Sequence, residues 1–103
     1  MVKIKELSDN IKDEIDDAGK YIDLALRCKE GDKTLADTYC KLAEEELGHM
    51  DILHKQVVRI IDQYKATNGP TPPAMQAKYD VLHELYVNEA NQVKIKIRLY
   101  KEG

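Results

Sequence analysis

The sequence predicts an all-α protein built from three long antiparallel helices, a helical hairpin followed by a third helix. Three observations support this fold class. Apolar residues recur at helical spacing along most of the chain, turn-forming Gly and Pro cluster at two places, and aromatic residues make up only 6% of the composition. With 103 residues, the chain fits one helical domain, residues 1–103.

The first helix is expected over residues 8–30, because its apolar positions fall on one face. Ser8 is suited to cap this helix, and residues 1–7 would form a short lead-in. Glu14 lies in the middle of the apolar face, and Asp17 lies at its edge. The apolar positions are Leu7, Ile11, Ala18, Tyr21, Ile22, Ala25 and Cys28.

The second helix is expected over residues 34–66. Gly31, in a left-handed conformation, would end the first helix, and either Asp32 or Thr34 would cap the second. So short a connection forces the two helices into an antiparallel hairpin. The apolar positions of the second helix are Ala43, Met50, Leu53, Val57, Ile60, Ile61 and Tyr64.

The third helix is expected over residues 72–101. Residues 68–70, Asn-Gly-Pro, would end the second helix, and Thr71 would cap the third with Pro72 at its first position. Glu89 lies inside the apolar face of this helix. The apolar positions are Met75, Leu82, Tyr86, Val93, Ile97 and Tyr100.

Glu46 lies in the middle of the apolar face of the second helix. Each of the three predicted apolar faces therefore contains one acidic residue: Glu14, Glu46 or Glu89. His49 lies one turn after Glu46, which is the Glu-x-x-His spacing of di-iron and di-manganese helical bundles. Residues equally distant from a helical turn lie at equal depth, which places Glu14 and Glu89 level with His49. Three carboxylates cannot stay ionised together in one apolar layer without a cation, and this ligand set suits iron or manganese.

Several alternatives remain open from the residues alone. The acids could be ordinary mid-helix residues at a loose seam, and Asp17 fits a solvated edge position better than a ligand position. His54 and His83 fall at matching depths and could form either a polar patch or a second metal site. Cys28 and Cys40 are expected to be small buried hydrophobic residues without a disulfide.

Charge and hydropathy exclude several classes of partner. The formal net charge is −3, and 16 Lys and Arg are scattered among 19 acidic residues, so nucleic acid is not an expected partner. No apolar run approaches the length of a membrane span, and the N-terminus lacks the core of a signal peptide. We therefore expect a cytoplasmic protein without a membrane partner.

These features resemble the ferritin-like superfamily, and the rubrerythrin branch most closely. In that branch, the first helix carries Glu, a Tyr seven residues later and then a small residue, and the second carries Glu-x-x-His after an Ala-x-x-aromatic segment. The similarity covers roughly residues 11–57 and extends to small ferritin-like proteins of bacterial and prophage origin. The matching residues are Glu14, Tyr21 and Ala25 in the first helix, and Ala36, Tyr39, Glu46 and His49 in the second.

The resemblance implies a di-metal carboxylate site for iron or manganese. Glu46 would bridge two metal ions, whereas Glu14 and His49 would each bind one of them. Such a site could oxidise Fe(II) in a ferroxidase-like reaction, with Tyr21 donating a hydrogen bond or an electron. The register argument adds Glu89 as a further candidate ligand.

The chain departs from the family pattern because it has one Glu-x-x-His and three helices, whereas complete members have two such motifs on four helices. Short ferritin-like proteins of the encapsulated type complete the site by dimerising. The resemblance therefore implies a homodimer or higher homo-oligomer, in which two copies complete the bundle with four carboxylates and two imidazoles. The alternative function is a non-catalytic helical oligomerisation or adaptor protein with a vestigial site.

Overall fold

The computed structural model describes residues 2–103, with side chains from residue 3 onward, and these residues form three helices and no strand. The helices are α1 (Val2–Cys28), α2 (Lys33–Asn68) and α3 (Pro73–Glu102). They form an elongated bundle of 56 × 19 × 18 Å along its principal axes. The predicted all-α class with three long helices is therefore confirmed.

The prediction that α1 begins at Ser8 is wrong, since the helix already includes Val2. Ser8 is buried inside α1 with 7% of its surface exposed, and it does not cap the helix. The reason is that Ile4 and Leu7 extend the apolar face and pack against the core, which holds this segment in the helix. The first part of the expected lead-in, Met1, lies outside the described residues.

The first turn spans residues 29–32, one residue more than expected, and does not need a left-handed glycine. The carbonyl of Cys28 accepts hydrogen bonds from the amides of Gly31 and Asp32, at 3.0 and 2.8 Å. Gly31 does not have a positive φ, so that prediction is wrong. The Asp32 side chain accepts a hydrogen bond from the Leu35 amide at 3.0 Å and caps α2, which settles the choice between Asp32 and Thr34.

Replacing Asp32 with Ala should lower the free energy of unfolding by about 1 kcal/mol, because the Leu35 amide loses its acceptor. Urea denaturation followed by circular dichroism would measure this loss. Thr34→Ala is the matched control, since Thr34 is exposed at the start of α2 and does not cap this helix. An equal loss in both variants would contradict the role of Asp32.

In the second turn, the predicted end of α2 is confirmed, whereas the predicted cap of α3 is wrong. Gly69 ends α2 with φ 79°, a conformation that favours glycine, and its amide donates to the Lys65 carbonyl at 2.9 Å. The cap of α3 is Pro72 rather than Thr71, and no side chain caps this helix. The Thr71 hydroxyl instead donates to the Gln76 side chain at 2.5 Å.

The core lies mainly between α1 and α2, and α3 rests chiefly on α1. Small buried residues line the contact between α1 and α2. Gly19 marks the contact between α1 and α3, since a Cβ at this position would lie 3.7 Å from Val93. Every apolar position predicted for the three faces is buried or half-buried, which confirms the faces. Both cysteines are free, with Cys40 buried and Cys28 half-buried. The fully buried small residues are Ala18, Ala25, Ala36 and Ala43.

None of the helices in residues 2–103 combines the length and apolar character that crossing a membrane requires.

Candidate metal centre

Three of the predicted ligands meet between α1 and α2. Glu14 projects from α1, and Glu46 and His49 project from one side of α2, with one ligand atom from each lying within 4.8 Å of the other two. His49 Nδ1 is 3.4 Å from Glu14 Oε2 and 3.9 Å from Glu46 Oε1. These three residues are the one group of three or more potential metal ligands within residues 2–103.

The hairpin itself brings these residues together. Glu46 and His49 are three residues apart, so they project from neighbouring positions on one face of α2. Glu14 lies about as many residues before the first turn as His49 lies after it, and the antiparallel helices therefore place them at one depth. The predicted register between α1 and α2 agrees with this contact.

The electrostatics of the group favour added positive charge. The pKa of Glu46 is raised to about 7, first because its neutral form can share a hydrogen bond with the Glu14 carboxyl, and then because of burial and repulsion from that carboxylate. Glu14 Oε2 is enclosed and has no hydrogen-bond partner. A shared proton therefore relieves the repulsion between the two carboxylates below about pH 7, and this repulsion returns as the pH rises.

The donor atoms lie within 4.8 Å of one another, somewhat farther apart than the ligands of a bound metal ion. Ligands at about 2.1 Å from an ion are about 3.0 Å apart in an octahedron and about 3.4 Å apart in a tetrahedron. The distances from His49 Nδ1 need only a small contraction to reach these values. An imidazole with two carboxylates is a suitable donor set for iron or manganese.

Glu89 does not join this group, although it lies at about the predicted depth. Its Oε2 atom is enclosed and has no hydrogen-bond partner. The pKa of Lys12 is raised mainly by its hydrogen bond and charge interaction with Asp16, and to a lesser extent by the charge of Glu89. Glu89 therefore lies near the side of α1 opposite Glu14. The reason is that α3 packs on the Gly19 side of α1 rather than on the Glu14 side.

The candidate ligands lie on the side of the hairpin that faces away from α3. At 100° per residue, Glu14 is about 140° around α1 from Gly19, which contacts α3. Likewise, Glu46 is about 160° around α2 from Glu44, which forms an ion pair with α3. We call this surface the hairpin face. It contains Glu14, Tyr21, Leu24, Leu35, Tyr39, Leu42, Glu46, His49 and Leu53.

Tyr21 lies on the hairpin face, about 10 Å along α1 from Glu14. Its ring stacks on Tyr39 with centroids 6.2 Å apart. Among the residues with described side chains, no hydrogen bond joins its hydroxyl to Glu14 or Glu46. A role for Tyr21 in the chemistry of the site stays a prediction. The Tyr21–Tyr39 stack itself was not anticipated, although both residues appear in the family motif.

The remaining sequence candidates are separate from this group. Asp17 is exposed, as expected, and contributes to raising the pKa of Glu46 only through its charge. His54 and His83 do approach each other, with stacked rings whose centroids are 5.0 Å apart beside a cavity of about 330 Å³. Burial and then the neighbouring His83 lower the pKa of His54. No third potential ligand completes a group around these histidines within residues 2–103.

No protein-family model, no curated protein and no solved structure matches the chain. The ferritin-like assignment therefore stays a prediction that depends on the motif residues and their geometry.

Proposed function

We propose that the protein is a ferritin-like carboxylate protein that binds iron or manganese through Glu14, Glu46 and His49 and oxidises Fe(II). The observation that carries this proposal is the convergence of these three side chains from two helices on one half-buried spot. Two carboxylates and one imidazole match the donor types and the Glu-x-x-His spacing of such bundles.

The burial of the two acids supports the proposal. The side chains of Glu14 and Glu46 retain 26% and 19% of their exposure. Bringing two partly dehydrated carboxylates together is unfavourable unless their charge is compensated. A divalent cation compensates both charges and gives the enclosed Glu14 oxygen a partner.

The hairpin face also supports completion of the site by a second copy. His49 keeps 55% of its side chain exposed, so the group is open on this side. Leu35 on the same face is 40% exposed, and covering it would bury apolar surface. Two hairpins facing each other would combine their ligands into four carboxylates and two imidazoles, enough for two ions.

Fe(II) is the substrate in the proposed reaction: two ions each lose one electron to the same dioxygen molecule, which takes up two protons and leaves as hydrogen peroxide. Glu14 and Glu46 favour the product, because carboxylates stabilise Fe(III) more strongly than Fe(II). His49 supplies a neutral nitrogen donor at the open edge of the group. Tyr21 stacks on Tyr39 about 10 Å along α1 from Glu14, and its proposed role is to donate an electron or a hydrogen bond to the site.

The test is an iron-oxidation experiment. Purified protein loaded anaerobically with Fe(II) and then exposed to air should show a rise in near-ultraviolet absorbance faster than Fe(II) alone. Glu46→Ala should reduce the rate to that of the protein-free solution, because it removes the carboxylate that would bridge the two ions. Glu45→Ala is the matched control, since Glu45 is exposed on the adjacent position of α2.

A wild-type rate equal to that of the protein-free solution would rule out oxidation.

The alternative function is that of a non-catalytic oligomerisation or adaptor protein, which the exposed apolar residues on α3 favour. That alternative predicts that Mn(II) and Fe(II) leave the unfolding curve of the wild-type protein unchanged.

A further inference from the structure

α3 carries a second row of residues that the described part of the chain leaves uncovered. From Val81 onward, the steps alternate between four and three residues, as in the core positions of a two-stranded coiled coil. Its apolar members are between 47% and 67% exposed. We call this row the α3 seam. It consists of Val81, Leu85, Asn88, Gln92, Ile95 and Leu99.

The α3 seam is distinct from the face that packs on α1. Val93 is buried beside Gly19, and Ile95 lies about 160° around the helix from Val93. α3 is therefore apolar on two sides, and α1 covers only one of them. A helix with a second exposed apolar row of this length has the character of an interaction surface.

The order of residue types along the α3 seam is symmetric about its centre: two apolar residues, two amides and two apolar residues. Two antiparallel copies related by a twofold axis would therefore pair apolar residues with apolar residues and amides with amides in every layer. In that arrangement Val81 faces Leu99 of the second copy, Leu85 faces Ile95, and Asn88 faces Gln92.

The charges beside the α3 seam agree with the same arrangement. Glu84 and Arg98 directly precede the seam residues Leu85 and Leu99, and they occupy equivalent flanking positions. Both are exposed, and neither forms an ion pair with another residue in 3–103. Antiparallel pairing brings Glu84 beside Arg98 of the second copy, twice per dimer. Parallel pairing would instead bring Glu84 towards Glu89 of the second copy, which is repulsive.

We propose that the α3 seam is an isologous interface, in which α3 of a second copy of this chain packs antiparallel along it. The four apolar layers supply the contact, and the central amides hydrogen-bond across the axis and fix the register. This interface is separate from the hairpin face and does not depend on metal binding. If both surfaces pair, the two contacts generate a larger assembly than a dimer.

Charge reversal tests both the partner and its direction. Glu84→Arg alone and Arg98→Glu alone should each raise the dissociation constant about tenfold or more, because each creates two like-charge contacts. The double variant Glu84→Arg/Arg98→Glu restores opposite charges and should regain wild-type association. Sedimentation measured over a range of concentrations would report the average mass, which each single variant should lower relative to wild type at the same concentration and the double variant should restore.

Two further variants complete the design. Leu85→Glu should weaken association at least 100-fold, because it places a charge in an apolar layer. Lys55→Glu is the matched control, since it reverses an exposed charge on α2 outside the α3 seam. Circular dichroism would verify that each variant keeps the wild-type helix content. An unchanged mass in both single variants, or no recovery in the double variant, would overturn the proposed interface.

Discussion

Replacing Glu46 with Gln should stabilise the metal-free protein at pH 8 by about 2 kcal/mol and by only about a quarter of that at pH 5. The pKa of Glu46 rises from its ordinary value of 4.5 to about 7 in the folded protein. The folded state therefore holds a proton that the unfolded chain releases between these values. The stability that this proton provides is complete below about pH 4.5 and is lost as the pH rises through about 7.

Gln stays neutral throughout this range and can donate a hydrogen bond to the Glu14 carboxylate. It therefore avoids the loss that the wild type suffers above neutral pH. The figure of about 2 kcal/mol is smaller than the full pKa difference implies, because the Glu46 side chain keeps 19% of its exposure. Urea unfolding of both proteins from pH 5 to pH 8 would measure it.

The difference between the two unfolding curves isolates the Glu46 proton, because both proteins carry every other titratable group. Glu45→Gln controls for the removal of one acid from α2, since Glu45 is exposed beside Glu46. That variant should follow the pH dependence of the wild type. Parallel curves for wild type and Glu46→Gln would mean that the two carboxylates do not interact in the folded protein.

The fold was predictable because the sequence repeats one signal over long stretches. Each helix has a continuous apolar face, and Asp32 and Gly69 mark turns by well-defined local chemistry. The errors lie where a local signal competes with packing. Ser8 is a good cap residue, but Ile4 and Leu7 continue the apolar face through it, and burial of that face extends α1.

The sequence predicted how far along the bundle each candidate site residue lies, but not on which side of its helix a third helix would pack. Equal distance from a turn brought Glu14 to His49 and His54 to His83 correctly. It could not indicate on which side of the hairpin α3 packs, because that depends on how side chains fit at Gly19 and Val93. Glu89 therefore lies at the expected depth along the bundle, but on the side of α1 away from Glu14.

The same limit applies to the α3 seam. The sequence predicted one apolar face for the third helix, and the helical period alone does not show that a second row of apolar residues stays uncovered. The separate row beginning at Val81 becomes visible once Val93, Ile97 and Tyr100 are known to be buried. Its exposed neighbours, Ile95 and Leu99, then share a single surface.

Mn(II) should bind the wild-type protein about 10-fold more weakly for each unit that the pH falls below 7, and this dependence should flatten above it. The ion and the shared proton compete for the same carboxylates, since Glu46 must ionise to act as a ligand. With a pKa of about 7, Glu46 is largely protonated at pH 6 and largely ionised at pH 8. Binding should therefore release about one proton or more per ion at pH 6.

Calorimetric titration in two buffers of different ionisation enthalpy would count these protons, since the apparent binding enthalpy changes in proportion to the number released. The count should fall by nearly one between pH 6 and pH 8. Glu46→Gln should bind Mn(II) at least 100-fold more weakly at pH 8, although it is the more stable protein without metal. These opposite effects on stability and binding separate a metal site from a structural acid pair. A variant that gains stability and keeps its affinity would show that the ion binds elsewhere.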